Sequence, residues 1–229
     1  YNTPIDKLPK GLIVKGYLYL DNSSIKELPE DIIVGGSIYL DHTKMEKFPK
    51  NLKVNGDLSI TSSFIKELPE NLIVDEDLYL FRSFIEKLPK RLIVGRNLHL
   101  EKSSIKELPD DIFVKKSIYL EGSKIEKLPD NLTINGDLYL NNTPIKELPN
   151  NLTVKGNLNL DKTSIKEIPD NLIVKGTLIL GNSNIKNLLD NLTVKGNLDL
   201  RKTKIKKLPD NLTVKGDLFL NKNIKIKDI

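Results

Sequence analysis

Few side chains of this chain have the chemistry needed for covalent catalysis or metal binding. Its 229 residues include no cysteine and only two histidines, His42 and His99. The lack of cysteine excludes disulfides, thiol catalysis and cysteine-ligated metal centres, and two histidines leave little for a histidine-based centre. The sequence contains no phosphate-binding glycine loop, serine nucleophile motif or zincin histidine pair. We therefore predict a protein that is not an enzyme and that uses no cofactor or metal.

The most distinctive side chains recur every 20 residues. Eleven blocks of 20 residues start at residue 1 and leave a remainder of nine, and position 19 of the block is tyrosine five times and histidine once. The residues two before and two after it, at position 17 and at position 1 of the next block, are mostly Asp, Asn and Ser. Tyrosine is favoured at protein interfaces, so we predict a partner-binding stripe made of Tyr19, Tyr39, Tyr79, His99, Tyr119 and Tyr139. The alternative is a purely structural ladder, since tyrosine has high strand propensity.

The elements that carry these side chains follow from the same repeat. Positions 5, 8, 12, 14, 18 and 20 are apolar in all eleven blocks, and position 9 is proline in ten of them. Apolar residues alternate with others from position 12 to position 20, which indicates strands, while the proline and the frequent glycine at position 16 leave no room for a helix. We predict an all-β solenoid of eleven turns over residues 1–220, with parallel sheets, and a C-terminal tail or partial cap over 221–229.

Two further positions have predicted structural roles. Glycine at position 16 is expected to form a bend between two short strands, but Glu76, Arg96 and Lys116 replace it, so the bend does not require a positive φ. Position 3 is Ser or Thr in every block, and we expect these hydroxyls to point inward and to satisfy backbone groups. An exposed, ice-binding threonine array is the alternative, and the flanking charged residues argue against it.

The segment Leu18-x-Leu20-x-x-Ser23-x-Ile25-x-x-Leu28-Pro29 resembles a leucine-rich repeat. It is most similar to the short 20-residue repeats of bacterial effectors, and similar repeats occur in phage and giant-virus proteins. The resemblance implies a right-handed leucine-rich-repeat-like or β-helix-like coil that binds partners through the outward residues of the L-x-L strand, without catalysis. The chain departs from the family in having Ser or Thr in place of the asparagine ladder and an additional L-x-V strand.

Charges at positions 6 and 7 alternate in sign from one block to the next. The first two blocks read Asp6-Lys7 and Lys26-Glu27, which places opposite charges next to each other in stacked turns and predicts a ladder of cross-turn ion pairs. After the eighth block the alternation fails, because position 6 is Lys146, Lys166, Lys186 and Lys206. Basic residues are concentrated at 81–100 and 201–229, but acidic residues are interleaved elsewhere, and we do not predict a nucleic-acid partner.

Position 13 carries a second outward column, which is apolar in the first half of the chain. Ile13, Ile33, Ile73, Ile93 and Phe113 are expected to form an exposed ridge, and such ridges mark interfaces. The alternative is the ordinary preference of solvent-facing strands for β-branched residues.

We therefore expect a protein-interaction or scaffold module that binds a protein through the outward face of its main sheet. One alternative is a structural component of a virion or fibre, assembling end to end through uncapped ends or laterally through the ridge. Another is the recognition domain of a larger effector enzyme. The sequence contains no membrane-spanning apolar run and no visible signal peptide, and we expect an intracellular or virion-associated location.

Overall fold

A computed structural model describes residues 5–50, 52–222 and 224. Within them every block contributes two strands of two residues, and no helix occurs. The first strands of the blocks, at positions 13 and 14, are β1 (Ile13–Val14), β3 (Ile33–Val34), β5 (Lys53–Val54), β7 (Ile73–Val74), β9 (Ile93–Val94), β11 (Phe113–Val114), β13 (Thr133–Ile134), β15 (Thr153–Val154), β17 (Ile173–Val174), β19 (Thr193–Val194) and β21 (Thr213–Val214).

The second strands, at positions 18 and 19, carry the predicted tyrosine stripe. They are β2 (Leu18–Tyr19), β4 (Ile38–Tyr39), β6 (Leu58–Ser59), β8 (Leu78–Tyr79), β10 (Leu98–His99), β12 (Ile118–Tyr119), β14 (Leu138–Tyr139), β16 (Leu158–Asn159), β18 (Leu178–Ile179), β20 (Leu198–Asp199) and β22 (Leu218–Phe219). The all-β solenoid with parallel strands predicted from the repeat is confirmed.

The chain divides into two compact units, residues 1–118 and 119–229. In unit 1 the second strands pair in the order β2-β4-β6-β8-β10, and the first strands form the sheets β1-β3 and β5-β7-β9-β11. In unit 2 the second strands pair as β14-β16-β18-β20-β22, and the first strands form β13-β15-β17 and β19-β21. Within these sheets neighbouring strands are parallel and lie 20 residues apart in the chain, as in the pairing of Leu58 with Leu78.

The core of each unit consists of the repeated apolar columns. Ile38, Leu78 and Leu100 in unit 1 and Leu158 and Ile185 in unit 2 are completely buried. Because the strands are only two residues long, each turn buries its apolar side chains mainly against the same positions of the adjacent turns. This stacking explains why the six apolar positions tolerate no polar residue.

The position 3 hydroxyls point inward, as predicted, and several cap the carbonyl three residues earlier. Thr43 Oγ1 donates a hydrogen bond of 2.7 Å to the Leu40 carbonyl, and Thr143 Oγ1 donates one of 2.6 Å to the Leu140 carbonyl. Thr43 is 1% exposed, so an exposed threonine array at this position is excluded for the described turns.

Glycine at position 16 lies where the backbones of adjacent turns approach closely, and its φ is not positive. A Cβ on Gly196 would lie 2.6 Å from the carbonyl carbon of Gly176 and from the amide nitrogen of Thr177, whereas a Cβ on Gly16 would meet nothing within 4 Å. The predicted bend is confirmed, and the structure adds the reason for the glycine: the backbone of one turn lies directly against the next.

The corners at positions 2 and 11 contain left-handed residues that the sequence reasoning did not identify. Residues at position 2 have a positive backbone φ even where the side chain is as bulky as in Lys102 (57°) or Arg82 (53°). At position 11 the same conformation occurs in Asn131 (59°) and Asn151 (56°). Asparagine tolerates this conformation better than most residues, so the recurrent Asn at position 11 was an available signal.

The predicted tail lies mostly outside the described residues. Residues 223 and 225–229 are not described, while Ile224 is buried and donates its amide to the Asn221 carbonyl at 3.2 Å. The boundary at residue 220 and the partial cap therefore stay predictions. The described part of the chain includes no helix long and apolar enough to cross a membrane.

Candidate functional site: the outward face of the second strands

The outward side chains of the second strands form stacked aromatic pairs. In unit 1 the rings of Tyr19 and Tyr39 lie 4.9 Å apart at an angle of 4°, and the rings of Tyr79 and His99 lie 4.6 Å apart at 14°. The strand register places these residues opposite each other, because position 19 pairs with position 19 of the next turn. Tyr19 is 63% exposed, and the other three side chains are half-buried.

The tyrosine hydroxyls lie against carboxylates of position 17. Tyr79 Oη donates a hydrogen bond to Asp77 Oδ2 at 3.2 Å, and Tyr39 Oη makes a longer one of 3.5 Å to Asp57 Oδ2. His99 Nδ1 lies 3.2 Å from Glu101 Oε1. These contacts hold each ring at its polar end.

Burial, followed by the nearby carboxylates of Asp77 and Asp57, raises the pKa of the Tyr79 hydroxyl to about 12. Tyr79 therefore stays protonated at neutral pH and acts as a hydrogen-bond donor. This environment does not activate the phenol as a nucleophile or base, since a base at neutral pH would need a lowered pKa.

Ser59 interrupts the aromatic column of unit 1. It occupies position 19 between Tyr39 and Tyr79, is 6% exposed, and donates its hydroxyl to Asp41 Oδ1 at 2.6 Å. The predicted stripe is thus divided into two aromatic pairs with a hydroxyl and a carboxylate between them.

In unit 2 the face carries three aromatic side chains at position 19, which are Tyr119 and Tyr139 at its start and Phe219 in β22. The rings of Tyr119 and Tyr139 stack at 5.2 Å and 7°, and burial, followed by the Asp137 carboxylate, raises the pKa of Tyr139. Further along, Asp199 forms an ion pair of 2.6 Å with Arg201. The hydrogen bond from Arg201 lowers the pKa of Asp199.

The face of unit 1 is strongly acidic. Its described residues at positions 17, 19 and 1 include five carboxylates and neither lysine nor arginine; the carboxylates belong to Asp21, Asp41, Asp57, Asp77 and Glu101. At the border of this face, Arg82 and Lys102 lie over the Phe81 ring, with their cationic groups 5.0 and 5.6 Å from its centroid. We call the surface formed by positions 17, 19 and 1 of unit 1 the acidic aromatic face.

A polar ladder at position 17 supports this face, and the sequence reasoning did not find it. The amide of Asp77 donates to Asp57 Oδ1 at 3.0 Å, and the amide of Asn97 donates to Asp77 Oδ1 at 2.7 Å. The same contact recurs in unit 2 between Asn157 and Asp137. Side-chain oxygens thus hold successive turns together at position 17, whereas position 3 hydroxyls such as that of Thr43 bond within their own turn.

The position 13 ridge is exposed in two groups. Ile13 and Ile33 are paired in the β1-β3 sheet and are 63% and 57% exposed. Ile73, Ile93 and Phe113 are adjacent in the four-stranded sheet of unit 1, where Ile73 is half-buried and Phe113 is 51% exposed. The first strand of that sheet carries Lys53 at this position instead.

The cross-turn charge ladder at positions 6 and 7 is present in unit 1. Lys26 Nζ lies 2.9 Å from Glu46 Oε1, and Lys87 Nζ lies 3.8 Å from Glu107 Oε1. All four side chains are more than half exposed, so each pair adds little to stability and mainly disfavours a shifted register.

The described residues contain no cluster of three or more side chains that could hold a metal ion. The outward face of the second strands presents aromatic rings, carboxylates and hydroxyl groups, which can contact a binding partner.

No protein-family model and no curated protein matches the chain. Solved structures do match it. A chain of the Drosophila Toll–Spatzle complex aligns with a TM-score of 0.48 and 17% identity, over 88% of this chain and 40% of that one. The leucine-rich effector YopM of Yersinia pestis aligns with a TM-score of 0.43 and 18% identity, over 87% of this chain and 76% of YopM.

A leucine-rich-repeat protein of Leptospira interrogans aligns with a TM-score of 0.37 and 18% identity, over 82% of this chain and 67% of that protein. Of the matched chain in the Toll–Spatzle complex, this chain spans less than half. The solved structures it is similar to include leucine-rich-repeat proteins, and the solenoid fold itself is established by the strand pairing described above.

Proposed function

We propose that the chain is a non-catalytic protein-interaction module whose acidic aromatic face binds a basic surface of a partner protein. The observation that carries the proposal is the combination of stacked rings with five carboxylates and no basic side chain at positions 17, 19 and 1 of unit 1. Such a surface attracts arginine and lysine side chains through charge, and its rings provide apolar contact area.

The rigidity of the rings supports the same conclusion. A tyrosine side chain has only two rotatable χ angles, and stacking against its neighbour together with the hydrogen bond from its hydroxyl restricts both. Tyr79 is held by the His99 ring on one side and by Asp77 at its tip. Binding therefore costs little additional side-chain entropy, which favours affinity.

The test is capture of partner proteins from a lysate of the source cells by the immobilised chain. The double variant Tyr39→Ala/Tyr79→Ala removes one ring from each aromatic pair of unit 1, and we expect it to lose the captured protein. The variant Phe64→Ala/Phe84→Ala is the control, since these rings are also stacked, at 5.6 Å, but are more exposed and belong to position 4.

The control variant should capture the same protein as the unmodified chain, and the contact surface of the identified partner should be basic. Equal capture by the Tyr39→Ala/Tyr79→Ala variant, with its β-sheet circular dichroism intact, would contradict the proposal.

A second candidate function is assembly of the chain into a fibre or particle through the position 13 ridge. The exposure of Ile13, Ile33 and Phe113 favours it, because exposed apolar columns tend to be covered by other molecules. Sedimentation over a wide concentration range tests this candidate: assembly should be concentration-dependent and should be suppressed by Ile33→Lys. A monomer at all concentrations would exclude it.

A further inference from the structure

Unit 2 loses the charge alternation that unit 1 maintains. Position 6 is lysine in four consecutive turns, at Lys146, Lys166, Lys186 and Lys206, and position 7 changes from Glu167 through Asn187 to Lys207. Adjacent turns are about 4.8 Å apart, so like charges face each other where unit 1 has pairs such as Lys26 with Glu46 at 2.9 Å.

This lysine column borders two adjoining depressions in unit 2. One has a volume of about 830 Å³ and the other of about 350 Å³. They share Lys186, Asn187 and Lys204, and together they are lined by six lysines, which are Lys166, Lys186, Lys204, Lys206, Lys207 and Lys222. We call this surface the basic groove.

The positive charge of the basic groove is poorly neutralised. Glu167 is the one carboxylate in its lining, and Lys207 forms a long ion pair of 3.8 Å with the nearby Asp210. Among the described residues, Lys186, Lys204 and Lys206 have no ion pair. Three exposed ammonium groups that repel one another in the free protein would be neutralised by a bound anion.

The side chains of the groove favour carboxylates over nucleic acid. The lining contains no arginine and no aromatic residue, so it lacks both the planar fork that suits phosphates and the rings on which bases stack. Asn184 and Asn187 line the smaller of the two depressions. Their side-chain amides can form hydrogen bonds with the backbone of an extended peptide.

We propose that the basic groove binds an extended, carboxylate-rich segment of a polypeptide. The site is lined mainly by residues at positions 4 to 7 of unit 2. It shares no residue with the acidic aromatic face, so it is independent of the function proposed above. The Tyr39→Ala/Tyr79→Ala variant should therefore bind an acidic peptide as well as the unmodified chain does.

The test measures fluorescence anisotropy of a labelled Glu/Ser peptide titrated with the full chain near physiological salt. The single change Lys186→Glu should weaken binding at least about tenfold, since it removes one attractive charge and adds a repulsive one. Lys66→Glu is the matched control: it makes the same charge change at the same position of the repeat in unit 1, and the Kd should stay within about twofold.

The same variant provides its own folding control. Lys186→Glu places a carboxylate between Lys166 and Lys206 and restores the alternation, so its melting temperature should not fall. Undetectable peptide binding, or binding that Lys186→Glu leaves unchanged, would overturn the proposal. A single-stranded oligonucleotide that binds more tightly than the peptide, with the same dependence on Lys186, would also overturn it and would assign the groove to nucleic acid.

Discussion

At the scale of single residues, the hydroxyl column at position 3 shows how one side chain completes a tight turn. Thr163 Oγ1 lies 2.8 Å from the Leu160 carbonyl, and Thr203 Oγ1 lies 2.7 Å from the Leu200 carbonyl. Each of these carbonyls also accepts a hydrogen bond from the amide of the same threonine, at 3.3 and 3.2 Å. The hydroxyl therefore supplies a second hydrogen bond, and a single hydrogen bond contributes about 0.5–1.5 kcal/mol. Two serines of the column in unit 1 allow this contribution to be measured.

Ser63→Ala and Ser83→Ala are the same substitution at equivalent positions with different expected effects. Ser63 Oγ donates to the Ile60 carbonyl at 3.0 Å, whereas Ser83 Oγ is buried without a hydrogen-bond partner. We expect Ser63→Ala to lower the free energy of unfolding by about 1 kcal/mol and Ser83→Ala to leave it unchanged or to raise it. Urea unfolding of the two variants measures the difference, and equal losses would contradict this role of the hydroxyl.

The raised pKa of Tyr79 predicts a loss of stability at alkaline pH. Its pKa rises from 10.0 to about 12 on folding, so between these values the unfolded chain releases a proton that the folded chain keeps. Stability contributed by the neutral phenol is complete below pH 10 and is lost as the pH rises towards 12. Tyr79→Phe should therefore lose less stability over this range, as measured by thermal unfolding at a series of pH values.

A control for this pH experiment is Tyr19→Phe, which removes the most exposed tyrosine of the acidic aromatic face. We expect its stability to follow the unmodified chain. A Tyr79→Phe variant with an unchanged alkaline profile would show that the phenol of Tyr79 is as acidic in the folded protein as in the unfolded one.

At the scale of the structural element, the bend between the two strands sets how closely turns approach. Amides at position 16 bond to the carbonyl of the same position in the preceding turn, as from Gly176 to Gly156 at 2.9 Å and from Arg96 to Glu76 at 3.0 Å. The ladder of backbone hydrogen bonds therefore continues through the bend. Glycine permits a close form of this contact, and the turns that carry Glu76, Arg96 and Lys116 keep the same hydrogen bond with a larger residue at this position.

Alanine substitution at position 16 should have opposite outcomes in two turns. In Gly196→Ala the new Cβ would meet backbone atoms of Gly176 and Thr177 at 2.6 Å, while Gly16 has open space around it. We expect Gly196→Ala to destabilise the protein by about 1–3 kcal/mol through overpacking and Gly16→Ala to be neutral. Chemical unfolding compares the two, and a neutral Gly196→Ala would mean that the turn can move aside without cost.

The strands on either side of the bend could be predicted from the sequence, whereas the left-handed corner at position 2 could not. The alternation from position 12 to position 20 was sufficient to predict both strands, since burial on one face of a strand follows from a period of two. The left-handed corner at position 2 was not predicted, because Arg82 and Lys102 carry no local preference for it. Their conformation is imposed by the turns on either side, which hold the chain through hydrogen bonds such as Arg82 N to Glu101 O at 3.0 Å.

At the scale of the whole molecule, each unit is a quasi-one-dimensional stack in which a turn contacts its neighbours. Equivalent residues of adjacent turns, such as Leu158 and Leu178, are in register, and the repeat has no insertion over residues 1–220. Removing one complete turn should therefore rejoin equivalent positions, and removing half a turn should not.

Deletion of residues 161–180 is expected to leave a folded protein with the same β-sheet circular dichroism and a slightly lower melting temperature. Deletion of residues 161–170 joins position 20 of one turn to position 11 of the next and brings charged side chains into the apolar columns. That variant should lack a cooperative thermal transition. Similar melting behaviour of the two deletions would contradict a fold maintained by turn-to-turn register.

The sequence by itself determined the length of the turn, the two strands within it, the inward columns and the outward exposure of Tyr19 and Ile13. These features are properties of one turn repeated, and local alternation is enough to specify them. Only the tertiary structure decided which side chains meet across turns. The aromatic pairs, the interruption at Ser59, the position 17 ladder and the basic groove all join residues about 20 apart in the chain, so they depend on the distance and rotation between stacked turns, which local alternation does not encode.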